Sequence, residues 1–421
     1  MAENKTVKTS LWVGSTYFIE GLPYMLVKFM SFVYFTDMGV REALLGLLNL
    51  LGIPWNLKFL WAPFLDIFGT KRGWMLKIQS ALVLMTVAIA VIAGFVNKGD
   101  PSSVPLMQLI AFIFVAMGFV AATNDISIDA YYLEGLKTTE DQAAYSGLRV
   151  FTYRLAVIYA RSVLVAIAGL ANWFYSFGAG AVTLLVFLII HKLFLPKFEE
   201  KRTGPTPKVK EVMKNFADSF VSYFKRDRIV LIIAFIISYK LGDEMLFSMN
   251  TPFLMRELMV TKTQLSLISG IVGSLAVVAG SMFGAWWIKT KGLKKTILPI
   301  TIFMNLNILA YVLLAIMKPQ GTTTSGLVFI ACVHAYENIA AGLGYAALAI
   351  FLMTLCSREF KAAHFAVGTA FMSLGATIIG SFGGVLVEQF GYVWLFLLSF
   401  FAGAPSIFLL FWLPIEETRD R

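Results

Sequence analysis

Long runs of apolar residues, each closed by a short polar or basic connection, recur along the whole chain. A helix of about 20 apolar residues spans the roughly 30 Å hydrocarbon core of a bilayer, and about twelve runs meet that length. They predict helices over 11–36, 43–66, 74–96, 104–134, 143–171, 173–194, 228–255, 264–288, 295–317, 325–355, 360–388 and 392–414. The fold class is therefore all-α, a polytopic membrane protein of about twelve transmembrane helices. The polar start MAENKTVKTS leads into the first run without a small-residue cleavage site, so it reads as a first spanning helix and not as a removed signal peptide.

Between the sixth and seventh runs lies the segment 196–227, broken early by Pro196, Gly204, Pro205 and Pro207. In its second half Val209, Val212, Met213, Phe216, Phe220 and Phe224 alternate with Lys and Asp at helical spacing, which predicts an amphipathic helix on the inner leaflet. This cytoplasmic linker separates two bundles of six helices, 1–195 and 228–421. The halves are related. One shift lays Met38–Gly46 near Leu258–Ser266 and Thr70-Lys71 on Thr290-Lys291, and a slightly smaller one lays Ala143-Ala144-Tyr145 on Ala362-Ala363-His364. Parallel six-helix repeats with the site between them are the plan of major facilitator transporters.

Composition sharpens this picture. The 421 residues are 58% hydrophobic and only 14% charged, well below the roughly 25% of soluble domains. The net charge of +10 does not point to nucleic acid, because Lys and Arg gather in alternate connections: Lys71, Arg72 and Lys77; Lys197 to Arg228; Lys289 to Lys295; Arg358 and Lys361. By the positive-inside rule those connections and both termini are cytoplasmic. Cys332 and Cys356 indicate neither a disulfide framework nor a metal centre, and His191, His334 and His364 sit on separate helices. No cofactor, metal or enzymatic motif is expected; the partners are a small anionic solute, protons and the lipid bilayer, and the chain is expected to be a monomer.

Charges within the runs locate the chemistry, since a carboxylate at mid-membrane costs roughly 2.5 to 3.5 kcal/mol on insertion scales unless a bundle interior receives it. The fourth run ends in ATNDISIDAYYLEGL, which sets Asp125 and Asp129 one helical turn apart on one face, close to Asn124 and Glu134. Glu20 lies mid-span beside Gly21 and Pro23. Asp125, Asp129 and Glu20 are the candidates for proton coupling, Asp129 also being at the depth to pair with Arg149. The intramembrane cations Lys28, Lys58, Arg154 and Lys240 favour an anionic substrate. Internal pairing with Glu20, Asp243 or Glu244 accounts for them equally well. Asn250, Tyr336, Glu337 and Asn338 add hydrogen-bonding groups from the second half, and Trp55, Trp61 and Tyr153 offer faces for sugar rings. Runs three, six, nine and twelve carry almost no charge in their interiors and are expected to face lipid, while the eighth carries Gly270, Gly273, Gly280 and Gly284, which suits close helix packing.

The run LKFLWAPFLD at 57–66, followed by Lys71-Arg72-Gly73-Trp74, resembles the AmpG-type muropeptide permeases and the related acetyl-coenzyme A transporters, a branch of the major facilitator superfamily. Gly21-Leu22-Pro23, Asp125-Ile126, Asp129-Ala130, Tyr153-Arg154-Leu155 and Phe365-Ala366 extend the likeness. The chain departs from that pattern at Asn124 and Glu20 and in ending after its twelfth span. The resemblance implies proton-driven import of anionic cell-wall fragments, the anhydro-muropeptides, across an inner membrane. It also implies a gating latch of Asp66, Lys71 and Arg72, with Arg149 and Glu134 beside it. The residues themselves give the candidate substrate contacts as Lys28, Lys58, Trp61, Asn124, Tyr153, Arg154, Lys240, Asp243, Glu244, Asn250, Glu337 and Asn338. Competing readings are a carrier of another anion, such as a coenzyme A thioester or a siderophore-like compound, a lipid flippase, or a membrane sensor, for which no output domain is present.

Overall fold

The structure, a computed structural model, describes residues 2–67, 69–198, 218, 220–356, 361–413 and 415, and of these the side chains of 2–7, 63, 66, 67, 139, 361–363 and 366 are left aside. Among the described residues every regular element is helical. That follows from the solvent, because a lipid-embedded backbone has no water to satisfy its amides and carbonyls, and a helix pairs them internally.

Among the described residues ten helices are long and apolar enough to cross a membrane: α1 (Lys8–Asp37), α2 (Glu42–Leu60), α3 (Lys71–Ala93), α4 (Pro101–Gly135), α5 (Glu140–Leu170), α6 (Trp173–Phe194), α8 (Lys262–Lys291), α9 (Leu293–Met317), α10 (Thr324–Thr354) and α12 (Gly383–Leu409). Two more complete the series. α7 (Ile229–Pro252) is long enough, but Lys240, Asp243 and Glu244 crowd its middle. α11 (Lys361–Ser381) contributes a shorter apolar stretch, Val367–Ser381, and continues into the first turns of α12. The break between the eleventh and twelfth spans is the single residue Gly391, at φ 80°, inside α12. Only glycine adopts that backbone without strain.

Several helices are interrupted where chemistry is expected. α1 contains Pro23 and then a π-helical turn at Leu26–Met30 that carries Lys28, and α5 has another at Tyr159–Leu164 that carries Arg161. α2 breaks into short turns around Pro54, with Lys58 opening the 3₁₀ turn Lys58–Leu60. Proline removes an intrahelical donor, so the chain re-forms its bonds at a different pitch.

Two compact units divide the chain: Met1–Gly39 with Leu51–Val209, and Val40–Leu50 with Lys210–Arg421. In the first, α1 packs on α5 and α4, and α3 packs on α4 and α6. Its aromatic core holds Trp12, Tyr17, Tyr131 and Tyr132 with Met75 and Leu195. In the second, α7 packs on α12 and α11, α8 on α10, and α9 on α10 and α12, around Phe235, Tyr239, Ile300, Met304 and Phe351. α8 and α10 meet backbone to backbone: a methyl group at Gly280 would strike the Ile339 carbonyl, and one at Gly342 the Val277 carbonyl. The glycines read from the eighth run as packing residues do that work at Gly273, Gly280 and Gly284.

The opening of α2 belongs to this second unit. Gly384 faces the Glu42 carbonyl, and Gly46 faces the carbonyl of Ser381. Arg41 forks onto Glu388, its Nη2 2.8 Å from Oε2 and its Nε 3.3 Å from Oε1, while the Ala43 amide donates to Oε1 at 3.1 Å. Arg256 reaches Glu42 at 2.6 Å. The amphipathic helix expected between Val209 and Phe224 falls mostly outside the described residues.

Candidate transport site

The first unit gathers charge on the inner faces of α1, α2, α4 and α5. Because Asp125 and Asp129 are one turn apart on α4, both reach the same side. Trp55 Nε1 donates to Asp125 Oδ2 at 2.7 Å, and Lys58 Nζ stands 3.7 Å from that oxygen, while Asp125 Oδ1 is buried without a partner. The 3₁₀ turn of α2 is what aims Lys58 inward. Asp129 Oδ1 accepts from Tyr17 Oη and from Arg149 Nη2, each at 2.9 Å, and the guanidinium lies over the rings of Tyr17 and Tyr132, 4.3 and 4.5 Å from their centroids. This pair was expected to be buried. Instead its side chains are 34% and 42% exposed, so the ion pair is only partly enclosed.

Glu20 lies among the charges of Asp129, Asp125, Lys58 and Arg149, and its Oε2 is buried without a partner. Three carboxylates thus face two cations, an arrangement that a proton or a further cation would balance. Tyr153 and Tyr24 border the group, Tyr24 edge-on to Trp55 at 5.0 Å. Arg154 follows Tyr153 on α5, half-buried, and among the described residues no carboxylate pairs with it.

The other candidate residues of this unit lie apart from the carboxylates. Asn124 is fully buried and its Nδ2 donates to the Ile19 carbonyl at 3.1 Å, tying α4 to α1. Trp61 donates to Thr123 Oγ1 at 3.2 Å, so it lies along α4 while Trp55 takes the place beside the carboxylates. Lys28 sits half-buried in its π-turn. Of the latch residues, Lys71 donates to the Leu65 carbonyl at 2.8 Å and Arg72 to the carbonyls of Lys192 and Leu195 at 2.7 and 3.3 Å, where it caps the C-terminal end of α6. Glu134 occupies the last turn of α4, and the side chain of Asp66 lies outside the described residues.

The second unit holds two separate groups. Lys240 pairs with Asp243 one turn on, both almost completely buried at 1% and 3% exposure, and the ammonium lies 4.0 Å over the Tyr345 ring, with Glu244 near by. The pair is made through Asp243 Oδ2, and Oδ1 is buried without a hydrogen-bond partner. A chain of polar contacts runs elsewhere: Asn250 Nδ2 to Tyr311 Oη at 3.0 Å, Tyr311 Oη to His334 Nδ1 at 2.8 Å, His334 Nδ1 to Glu337 Oε2 at 3.6 Å, and Asn338 Nδ2 to Glu337 Oε2 at 2.9 Å. Sequence reasoning passed over Tyr17 and Tyr311 and left His334 without a role. The signals were there, since Tyr17 and Glu20, like His334 and Glu337, are three apart and share a helix face.

Comparison with known proteins follows the same lines. The family model for the Major Facilitator Superfamily matches residues 13–364 and 238–421. The anhydromuropeptide permease of Escherichia coli K12 is 30% identical over 407 residues, which cover 93% of this chain and 77% of that protein. The crystal structure of a D-xylose-proton symporter superposes with a TM-score of 0.68 at 12% identity, covering 99% of each chain. A crystal structure of the peptide transporter POT in complex with alafosfalin gives 0.69 at 12% identity, covering 96% of this chain and 94% of that one.

Proposed function

Because this chain belongs to the Major Facilitator Superfamily, and within it to the branch of the anhydromuropeptide permease, we propose that it imports anhydro-muropeptides or closely similar anionic sugar-peptides together with protons. It is a multi-pass membrane protein and a secondary transporter, not an enzyme. The observation that carries the substrate reading is Arg154: a half-buried cation on a spanning helix, next to Tyr153 and, among the described residues, without a paired carboxylate. A muropeptide brings carboxylates for such cations, N-acetyl groups for amide partners and sugar rings for the faces of Trp55 and Tyr153. Lys28 and Lys58 join Arg154 in this reading, with Asp66, Lys71 and Arg72 as the cytoplasmic latch.

The test is uptake of labelled anhydro-muropeptide by proteoliposomes with and without an inward proton gradient. Accumulation that follows the gradient supports the proposal, and absence of uptake under a gradient removes it. A coenzyme A ester in the same assay separates the other anion that the cations would accept.

Asp125 and Glu20 are the coupling acids in this proposal, each with one buried carboxylate oxygen left over for a proton. Asp125→Asn or Glu20→Gln should abolish accumulation against a gradient while substrate exchange continues, since exchange needs no net protonation. Simultaneous loss of both activities would make the residue a structural or substrate-binding one.

The charge asymmetry supports a cytoplasmic location for both termini and the 196–227 segment in this proposal. In a variant lacking Cys332 and Cys356, single cysteines at Ser102 and Lys318 should react with an impermeant reagent from outside, and those at Thr206 and Lys294 should not. The opposite pattern would invert the topology.

A further inference from the structure

We infer that Trp55 is a positioning residue for the proton carried by Asp125: its indole N–H holds one carboxylate oxygen, Oδ2, so that the proton enters and leaves at the other, Oδ1. This role rests on the coupling proposed for Asp125 and names the atom at which it acts. Trp55 Nε1 donates to Oδ2 at 2.7 Å, and Lys58 Nζ stands 3.7 Å from that same oxygen, while Oδ1 is buried with no hydrogen-bond partner. Both donors therefore sit on one oxygen.

A local break in α2 puts the indole there. Pro54 sits at the start of the short turn Ile53–Leu57, just before the 3₁₀ turn Lys58–Leu60. Pro54 and Trp55 both lie on Gly118 of α4, where a methyl group would meet the proline Cγ at 3.3 Å and the indole Cζ3 at 3.8 Å. Gly118 and Asp125 are two helical turns apart on one face, so α4 supplies both the bare seat for the ring and the acceptor for its N–H. Tyr24 of α1 meets the ring at a right angle, with centroids 5.0 Å apart. Trp55 is thus held at three points, whereas the Lys58 side chain is 33% exposed and rides on a flexible stem.

A proton cycle at this carboxyl makes and breaks one bond. A proton from water forms an O–H bond at Oδ1, and the carboxylate becomes a neutral acid whose carbonyl oxygen is Oδ2, still accepting from the indole. Return of the proton to water breaks that bond alone. The side chain keeps its aim in both states, and Lys58 can turn to an anion of the substrate without releasing the carboxyl group. The charged and titratable groups that face Asp125 are Lys58 of α2, Asp129 of α4 and Glu20 of α1, together with Tyr153 of α5, whose Arg149 is engaged by Asp129.

Infrared difference spectroscopy of the full chain in lipid, between acid and alkaline pH, reads the carboxyl group directly and needs no substrate. Asp125→Asn should remove one carbonyl band of a protonated acid. In Trp55→Phe, which keeps an aromatic ring and loses the N–H, that band should persist at higher frequency, because its carbonyl oxygen has lost a donor. Its midpoint should also rise by about one pH unit, since a hydrogen bond to the carboxylate favours the charged form. A tryptophan that only fills space would lower the melting temperature and move neither. An unchanged frequency or a falling midpoint in Trp55→Phe overturns the role. Should that variant fail to fold by size-exclusion chromatography, Gly118→Ala, whose methyl group presses on the seat of Pro54 and Trp55, must shift the band the same way, and an unshifted band overturns the role equally. If Asp125→Asn removes no band, the coupling role of Asp125 falls and the positioning by Trp55 falls with it. A shifted band in a protein that imports no muropeptide keeps Trp55 in its role and removes only the substrate reading.

Discussion

Replacing Arg154 with Gln should reduce uptake of an anhydro-muropeptide by roughly 10- to 150-fold and leave uptake of its uncharged sugar portion almost unchanged. The magnitude is that of one hydrogen-bonded contact to a charged group, about 1.5 to 3 kcal/mol. The selectivity follows from the residue's situation. Arg154 has no carboxylate partner among the described residues, so its removal orphans no internal charge and the bundle should keep its stability. Arg154→Lys should recover only part of the loss, because an ammonium cannot hold a carboxylate through two parallel bonds. Equal losses for the charged and uncharged compounds would make Arg154 a residue of the fold.

Lys240→Met should have the opposite signature, a loss of the protein itself. Breaking one partner from a buried ion pair leaves the other charge uncompensated and costs about 3 to 5 kcal/mol, enough to bring down the melting temperature in detergent and the yield of folded protein. Asp243→Leu added to Lys240→Met should restore most of that stability, since apolar side chains of similar volume fill a buried pair's place at little cost. Thermal unfolding of the two single variants and the double one measures this directly. If Lys240→Met unfolds normally but fails to bind the anionic substrate, the lysine reads the ligand after all.

These two cations show where sequence is legible and where it is not. Arg154 and Lys240 look alike along the chain, each a basic residue within an apolar run, and were grouped as substrate contacts. What separates them is the neighbour: Asp243 and the Tyr345 ring enclose Lys240, and Tyr345 comes from a helix a hundred residues away. The spanning helices were legible because hydropathy over 20 residues is a local property. So was the Arg149 contact with Asp129, because the short connection after α4 brings α5 back at the same depth. The stripe of glycines in α8 was also readable, since lack of a side chain over several turns has few other uses in a membrane. Asn124 was not. Its amide bonds the carbonyl of Ile19, which has no intrahelical donor because Pro23 stands four residues on, and only the packing of α1 on α4 brings the two together. Nor do the π-turns of α1 and α5 leave a trace in periodicity strong enough to place Lys28 or Arg161.

α7 carries a consequence for how the protein is made. A segment leaving the ribosome is judged by the translocon on its own apolarity, and Lys240, Asp243 and Glu244 together add roughly 7 to 10 kcal/mol to that partition at the centre of a helix. The flanking Ile and Phe residues offset part of it, and joining the ammonium to its carboxylate one turn away removes another part before any tertiary contact exists. The rest has to come from helices synthesised later, α9, α11 and α12, against which α7 packs. Insertion of α7 is therefore a delayed event, completed when the C-terminal spans arrive, and a chain stopped after Pro252 would leave this segment outside the lipid.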